Sequence, residues 1–377
     1  MTAPSYPTAR TAASTVRAHL TRHLTNARER GHIDLATQPD TDAIEKIIDA
    51  AFWASLRREE GHDPKISLAF LAPDQSSSPL VLERPLPLAP AALARLAPAV
   101  ERLGIHLGVW PRDGELSVWG ITRSIPTMCF TLEVVSPGVL VIKLRRGTEA
   151  AKYINVAVME GDQIKVLDDR GATLPECPSV LGALLGFDAS SLGSLNEMVE
   201  LAVSMRAHGR GGALLVVPTG SDAWRESIVQ PISYAVSPPF LELARLAREE
   251  PDRKNRREWQ DALRRAVDAI GGLTEVDGAT VLNTDFEVLA FGAKIARRKG
   301  SARVEQVVAS EPVEGNVPTT VSPTELGGTR HLSAAQFVQD QHDASAYVAS
   351  VDGRFTIFAW SDCDNIVHAR RVEALLL

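Results

Sequence analysis

The sequence predicts an α/β protein of two domains, a mixed-sheet α/β domain at the C-terminus preceded by an α+β domain rich in hairpins. With 377 residues, the chain is long enough for two ordinary domains. Between 105 and 171, glycine-containing pairs separate short β-like runs, as hairpin turns do. The second half alternates helical and strand patterns. We place the boundary near 188, which gives domains of 1–188 and 189–377.

Apolar residues at helical spacing predict two amphipathic helices at the N-terminus, over 8–30 and 41–58. Asp40 or Thr41 can cap the second helix. The other elements predicted for this half are strands at 67–72 and near 79–86, a helix at 89–102, and hairpin turns at Asp113-Gly114, Pro137-Gly138 and Gly161-Asp162.

An apolar run over 213–218 predicts a strand that is buried on both faces. Asn255 and Glu258 have the spacing of a capping box and open a predicted helix over 255–270. The polar segment 298–328 shows little periodicity and is predicted to be a long loop. The remaining predicted elements are helices at 178–186, 191–208 and 331–340 and strands at 276–283, 286–295, 344–350 and 354–360.

Composition excludes several classes of protein. The formal net charge of -7 argues against a dedicated surface for nucleic acid or for an anionic membrane. The three cysteines are far apart, which excludes a disulfide scaffold and a zinc ribbon and fits a reducing compartment. No apolar run approaches the length of a membrane span, and the start lacks the pattern of a signal peptide. We therefore expect a cytoplasmic protein.

Asp277 is the first candidate for chemistry. It lies where a strand is predicted to begin, and Gly278 has no side chain to obstruct a ligand. A carboxylate in this position can hold Mg²⁺ or Mn²⁺ with help from the phosphates of a substrate. The alternative is that Asp277 and Gly278 form only a turn before the strand.

The second candidate is the segment from Gly327 to His331, which precedes and begins a predicted helix. Exposed amides and the dipole at a helix N-terminus favour phosphate. Arg330 can grip phosphate through two parallel hydrogen bonds, and His331 can donate one more. Alternatively, Thr329 is an ordinary helix cap, Arg330 is exposed and His331 packs against the sheet.

Ser350 and Asp352 add a hydroxyl and a second carboxylate after a predicted strand. The alternative is a hairpin turn ending at Gly353, which is compatible with a ligand role. The sequence lacks the phosphate-binding loop of P-loop proteins, the dinucleotide-binding glycine motif and the metalloprotease His-Glu-x-x-His motif.

In this order, these segments resemble the diadenylate cyclase family, whose DisA_N-like domain condenses two ATP molecules into cyclic di-AMP. The resemblance covers about 190–377. It is carried by the strand Gly212-Ala-Leu-Leu-Val-Val217, by Asp277-Gly278-Ala279, by Gly328-Thr329-Arg330-His331, and by Ser350 and Asp352.

The resemblance implies roles for these residues. Asp277 would bind the catalytic Mg²⁺ or Mn²⁺ near the attacking ribose 3′-hydroxyl, and Asp352 would be a second candidate metal ligand. ATP would be the substrate, and two domains would face each other in a homo-oligomer. The catalytic set would be Asp277, Arg330 and His331, and the nucleotide-binding set would be Gly278, Ala279, Gly328, Thr329 and Ser350.

Leu332 departs from the family pattern, which has a second arginine there. Loss of one preorganised cationic donor costs on the order of 10²–10³ in rate. One alternative is therefore a weakened domain that binds ATP or a cyclic dinucleotide as a sensor, and another is an interaction module with accidental motif matches. The N-terminal half resembles, more faintly, the sensor-type domain called DACNV. That resemblance implies a regulatory role for 1–188.

Overall fold

The computed structural model describes residues 5–32, 35–59, 61–102, 104–146, 153–168, 176–187, 196–249 and 257–377. The chain divides into two compact units, Met1–Arg170 with Leu377, and Gly171–Leu376. The predicted boundary at 188 lies outside the described residues. Each unit contains a mixed sheet with helices, so the predicted α/β fold class is confirmed.

An eight-stranded sheet forms the N-terminal unit, with the strand order β2-β4-β3-β1-β5-β6-β7-β8. Only β1 and β3 pair in parallel among these neighbours, and most of the antiparallel pairs are hairpins. Its helices are α1 (Pro7–Glu29), α2 (Thr41–Ser55) and α3 (Pro90–Val100), with a 3₁₀ turn at Pro73–Gln75. Its strands are β1 (Ile66–Phe70), β2 (Leu80–Pro87), β3 (His106–Arg112), β4 (Glu115–Thr122), β5 (Phe130–Ser136), β6 (Val139–Arg145), β7 (Tyr153–Glu160) and β8 (Gln163–Val166).

The helices of this unit share one apolar core with its strands. In α2, Ile44, Ile48 and Ala51 are buried in that core, while Phe52 is half-buried. Asp40 caps α2 by accepting a hydrogen bond from the backbone of Ala43 at 2.8 Å, as predicted. No helix within the described residues combines the length and the apolar character that crossing a bilayer requires.

A nine-stranded sheet forms the C-terminal unit, with the order β10-β12-β11-β9-β15-β16-β17-β13-β14. The pairs β9–β11 and β13–β17 are parallel and the others are antiparallel. Its helices are α4 (Pro178–Leu184), α5 (Glu197–Ala207), α6 (Glu242–Ala247), α7 (Arg257–Leu273), α8 (Pro323–Leu326) and α9 (Thr329–Asp340), with 3₁₀ turns at Leu185–Phe187, Ala223–Ser227 and Glu373–Leu375. Its strands are β9 (Gly212–Val217), β10 (Tyr234–Phe240), β11 (Ala279–Asn283), β12 (Val288–Ala293), β13 (Val307–Ser310), β14 (Thr319–Val321), β15 (Ser345–Ala349), β16 (Phe355–Ser361) and β17 (Ile366–Arg371).

The central strand β9 has both faces covered, as its apolar run predicted. Its neighbours in the sheet are β11 and β15. Leu215 and Val217 belong to the core cluster that includes Phe337 of α9. Leu214 points to the opposite face, because side chains alternate along a strand, and it is also fully buried.

The predicted buried face of α7 is confirmed. Trp259, Leu263, Val267 and Ile270 are all buried. Asn255, the predicted cap, lies outside the described residues, as does the 191–195 segment of the helix predicted over 191–208.

The prediction of a long loop over 298–328 is wrong. This segment contains β13, β14 and α8. The strand β13 pairs in parallel with β17, where Val307 lies opposite Val367. Both strands are short, and β13, on which β14 pairs, depends on a strand about 60 residues away, so local periodicity does not reveal them. Neither β17 nor the edge strand β10, which contains two adjacent prolines, was predicted from local periodicity.

Gly278, directly before β11, packs against the backbone of β12. Its φ is +129°, in the region that favours glycine. A Cβ atom at this position would lie 2.4 Å from the carbonyl carbon of Gly292. The packing of β11 against β12 therefore requires a glycine at this position, independently of any ligand.

We expect Gly278→Ala to lower the free energy of unfolding by about 3 kcal/mol, because the new methyl group meets backbone that cannot move aside and the φ is unfavourable. Chemical denaturation would measure the change. Gly272→Ala is the matched control, since Gly272 is an exposed helical residue with open space around it. A loss for Gly278→Ala no larger than for the control would contradict this account.

Candidate functional site

Strand direction brings the predicted site residues to one edge of the C-terminal sheet. In the parallel pair β9–β11, Ala279 lies opposite Ala213, so both strands begin at this edge. The antiparallel strand β15 ends there, with Ala349 opposite Gly212. Asp277 before β11 and the turn after β15 therefore approach the same edge. Ala279 itself is buried within the sheet.

The carboxylate of Asp277 is exposed and forms an ion pair with the ammonium group of Lys294. This hydrogen bond, with the charge of Lys294, lowers the pKa of Asp277, and the charge of Arg330 lowers it further. Asp277 is consequently ionised at neutral pH and faces two cations.

Lys294 is a residue of this edge that the sequence analysis missed. It directly follows β12, which pairs with β11 so that Ala293 lies opposite Ala279. The predicted strands 276–283 and 286–295 do not reveal this contact, because a regular hairpin between them would place position 294 opposite 274 or 275. Register shifts in the β11–β12 pair bring position 294 beside 278 instead.

Arg330 reaches the same edge from the first turn of α9. Gly328 is the N-cap of α9 and has no side chain to satisfy the first amides, so Thr329 is the first helical residue rather than the cap. The residues from Gly328 to Arg330 are exposed. A Cβ atom at Gly211 would lie 2.9 Å from Nη1 of Arg330, so the glycine leaves room for the guanidinium.

His331 lies inside the unit. Its ring is 1% exposed, its Nε2 is 3.3 Å from the hydroxyl of Thr356, and it meets the ring of Phe358 edge-on. Burial lowers the pKa of His331, so the ring is neutral at pH 7. A Cβ atom at Gly327 would lie 2.4 Å from its Nδ1, which shows how closely the preceding glycine packs on the ring. The predicted contact with phosphate stays a prediction for this residue.

The turn after β15 is well ordered by hydrogen bonds. The backbone of Ser350 donates to the carbonyl of Arg354 at 2.9 Å, and the carboxylate of Asp352 pairs with Arg354 at 3.3 Å. From α5, Arg206 donates to the carbonyl of Gly353 at 2.9 Å. Ser350 is half-buried and Asp352 is exposed. Their hydroxyl and carboxylate lie at the same edge of the sheet as Arg330.

Leu332, in the position of the family's second arginine, is half-buried and packs against the core cluster of the C-terminal unit. Its side chain therefore contributes to packing.

Two further basic side chains lie close to the edge. His208 contacts the hydroxyl of Thr274 through Nε2 at 3.2 Å, and Arg210 pairs with Glu275 at 2.8 Å.

The acidic residues of the edge suit a metal ion only with help from a ligand. No group of three or more His, Cys, Asp or Glu side chains in the described part of the chain is arranged to hold a metal. Mg²⁺ commonly binds through one or two carboxylates together with substrate phosphates. Asp277, ionised and exposed, fits that kind of shared site.

Comparison with protein families yields a match in the N-terminal unit. The family model described as "Probable sensor domain DACNV" matches residues 33–123. No curated protein matches the chain. The matched segment contains α2, α3 and the strands β1 to β4, so the match to this probable sensor domain lies within the N-terminal unit.

Proposed function

We propose that the C-terminal unit is a diadenylate cyclase-like domain that binds ATP with a divalent metal, under the control of the DACNV-type N-terminal domain. In this proposal the protein acts in the cytoplasm and condenses two ATP molecules into cyclic di-AMP. The observation that carries it is the meeting of Asp277, Lys294 and Arg330 at one sheet edge beside the uncapped start of α9.

This edge has the charges that a triphosphate needs. The guanidinium of Arg330 and the ammonium of Lys294 can pair with phosphate oxygens, and the free amides at the start of α9 add hydrogen bonds. Mg²⁺ or Mn²⁺, held by Asp277 with Asp352 as a second candidate ligand, would offset the remaining phosphate charge. Lys294 pairs with Asp277, and in this proposal phosphate would draw the ammonium away from the carboxylate.

The chemistry requires two domains. Each 3′-hydroxyl oxygen attacks the α-phosphorus of the other ATP, the bond to pyrophosphate breaks, and the hydroxyl proton is released. One domain holds one ATP, so we propose a homo-oligomer with the sheet edges facing each other. The chain's contribution is positioning and electrostatic stabilisation.

A second candidate is a domain that binds ATP or a cyclic dinucleotide without turning it over. Its support is the position of the two residues that follow Arg330. His331 is buried and Leu332 packs against the core, so Arg330 is the exposed cation of this motif. Such a domain would report nucleotide levels by binding alone.

We expect the wild-type protein with ATP and Mn²⁺ to form cyclic di-AMP, and Asp277→Asn to reduce the rate by at least about 10²-fold, because the variant loses the ionised metal ligand. Chromatography of the products would measure both rates. Asp113→Asn is the control, since it removes the same charge from an exposed turn of the N-terminal unit, where its φ of +53° suits asparagine. Absence of product from the wild type at every protein concentration would exclude the cyclase.

Lys294→Met should weaken ATP binding about tenfold or more, because a charge-assisted hydrogen bond to phosphate is lost. Lys294→Arg should keep most of the affinity. Calorimetric titration with and without Mn²⁺ would measure this, and Lys299→Met, an exposed lysine at the opposite end of the sheet, is the control. Equal affinities for Lys294→Met and the control would place the phosphates elsewhere.

Leu332→Arg should raise the cyclase rate about tenfold or more if the missing guanidinium limits catalysis, because the arginine stem can cover the core while its head reaches the phosphates. Rates of Leu332→Arg and of Leu332→Met would be compared under saturating ATP, with unfolding curves to confirm that both variants fold. A folded Leu332→Arg protein with no gain would favour the sensor candidate.

A further inference from the structure

Two cysteines that are far apart in sequence meet in the C-terminal unit. Cys177 directly precedes α4, and Cys363 lies in the turn between β16 and β17. The start of α4 is fixed on this end of the sheet, because the hydroxyl of Ser179 donates to the carbonyl of Trp360 at 2.9 Å. The same hydroxyl is 3.4 Å from the sulfur of Cys177. The start of α4 is thus held against the end of β16, next to the turn that contains Cys363.

The two thiols differ in acidity because they interact with each other. A side-chain hydrogen bond with Cys363, helped by the hydroxyl of Ser179, lowers the pKa of Cys177 to about 6. The same contact, with the charge of Cys177 and of nearby acidic residues, raises the pKa of Cys363 to about 11. At neutral pH a thiolate therefore lies beside a protonated thiol, which is the pairing of an attacking and a resolving cysteine.

One member of this pair is accessible from solvent. Cys363 is exposed, whereas Cys177 is buried. The third cysteine, Cys129, is fully buried in the N-terminal unit, where burial raises its pKa to about 12. The chain therefore contains its own unreactive control.

We propose that Cys177 and Cys363 form a peroxide-oxidisable dithiol, which closes to a disulfide that ties the start of α4 to the turn between β16 and β17. Disulfides of this kind in reducing compartments are transient and regulatory. This assignment uses contacts at a different part of the unit from Asp277 and Arg330, and it holds whether or not the domain turns over ATP.

The reaction balances with one hydrogen peroxide per pair. The thiolate of Cys177 attacks one peroxide oxygen, the O–O bond breaks, and the leaving hydroxide takes a proton to become water. The sulfur of Cys363 then attacks the sulfenic sulfur of Cys177, the S–O bond breaks, and the hydroxyl leaves as water with the proton of Cys363. Two thiols lose two electrons, and a small-molecule dithiol restores them by exchange.

The test uses the full chain treated with hydrogen peroxide at increasing ratios, followed by blocking of free thiols and non-reducing peptide mass spectrometry. We expect an intramolecular peptide pair linked through Cys177 and Cys363 near one equivalent of peroxide, with Cys129 unmodified until the protein unfolds. A dithiol reductant should reverse the link. Free thiols at both positions, or links that form equally with Cys129 or between chains, would overturn the proposal.

Two variants separate the roles of the pair. In Cys363→Ser, the sulfenic acid of Cys177 should persist and be trapped by a dimedone-type probe. In Cys177→Ser, the protonated Cys363 should react with peroxide at least about tenfold more slowly than Cys177 does in Cys363→Ser, since the thiolate is the nucleophile. Equal rates in the two variants would contradict the assignment of Cys177 as the attacking residue.

Discussion

The C-terminal unit depends on the pairing of β9 with β11 in parallel and with β15 in antiparallel orientation. This arrangement buries β9 on both faces and makes two strand starts and one strand end meet at a single edge. Asp277 and the turn at Ser350 are about 70 residues apart in the chain, and only this topology brings them to a common edge. The helix α9 packs on the same strands and delivers Arg330 to that edge.

Electrostatics at the edge is organised around one carboxylate. Asp277 is held ionised by Lys294 and Arg330, and one negative and two positive side chains give this group a net charge of +1. In the proposed function, the two cations would pair with phosphate oxygens while Asp277 would bind the divalent metal. The apolar Leu332 does not take part, since its side chain contributes to the core. Within the proposed function, the choice between a cyclase and a nucleotide sensor therefore rests on the arginine that Leu332 replaces.

The two units carry different features. The match to the probable sensor domain DACNV lies in the N-terminal unit, which has its own core of helices on a hairpin-rich sheet. The proposed thiol pair adds a chemical input within the C-terminal unit itself. A small oxidant would act on Cys177 and Cys363 directly, without a signal from the N-terminal domain.

Local patterns in the sequence determined a large part of this structure. Helical and alternating spacing predicted α1, α2, α7 and most strands, and four apolar residues in a row predicted the buried β9, because these features depend on neighbours a few residues away. The short motifs at Asp277 and at Gly328 were also visible, because each combines a strand or helix start with residues that suit a ligand.

Tertiary structure decided what local patterns cannot show. The strands β13 and β17 exist through pairing between distant segments, and the same long-range packing buries His331 while leaving Arg330 exposed. The ion pair of Lys294 depends on hairpin register, and the meeting of Cys177 with Cys363 depends on how α4 lies against β16. Contacts of this kind depend on which distant surfaces pack together, and patterns over a few neighbouring residues do not specify that packing.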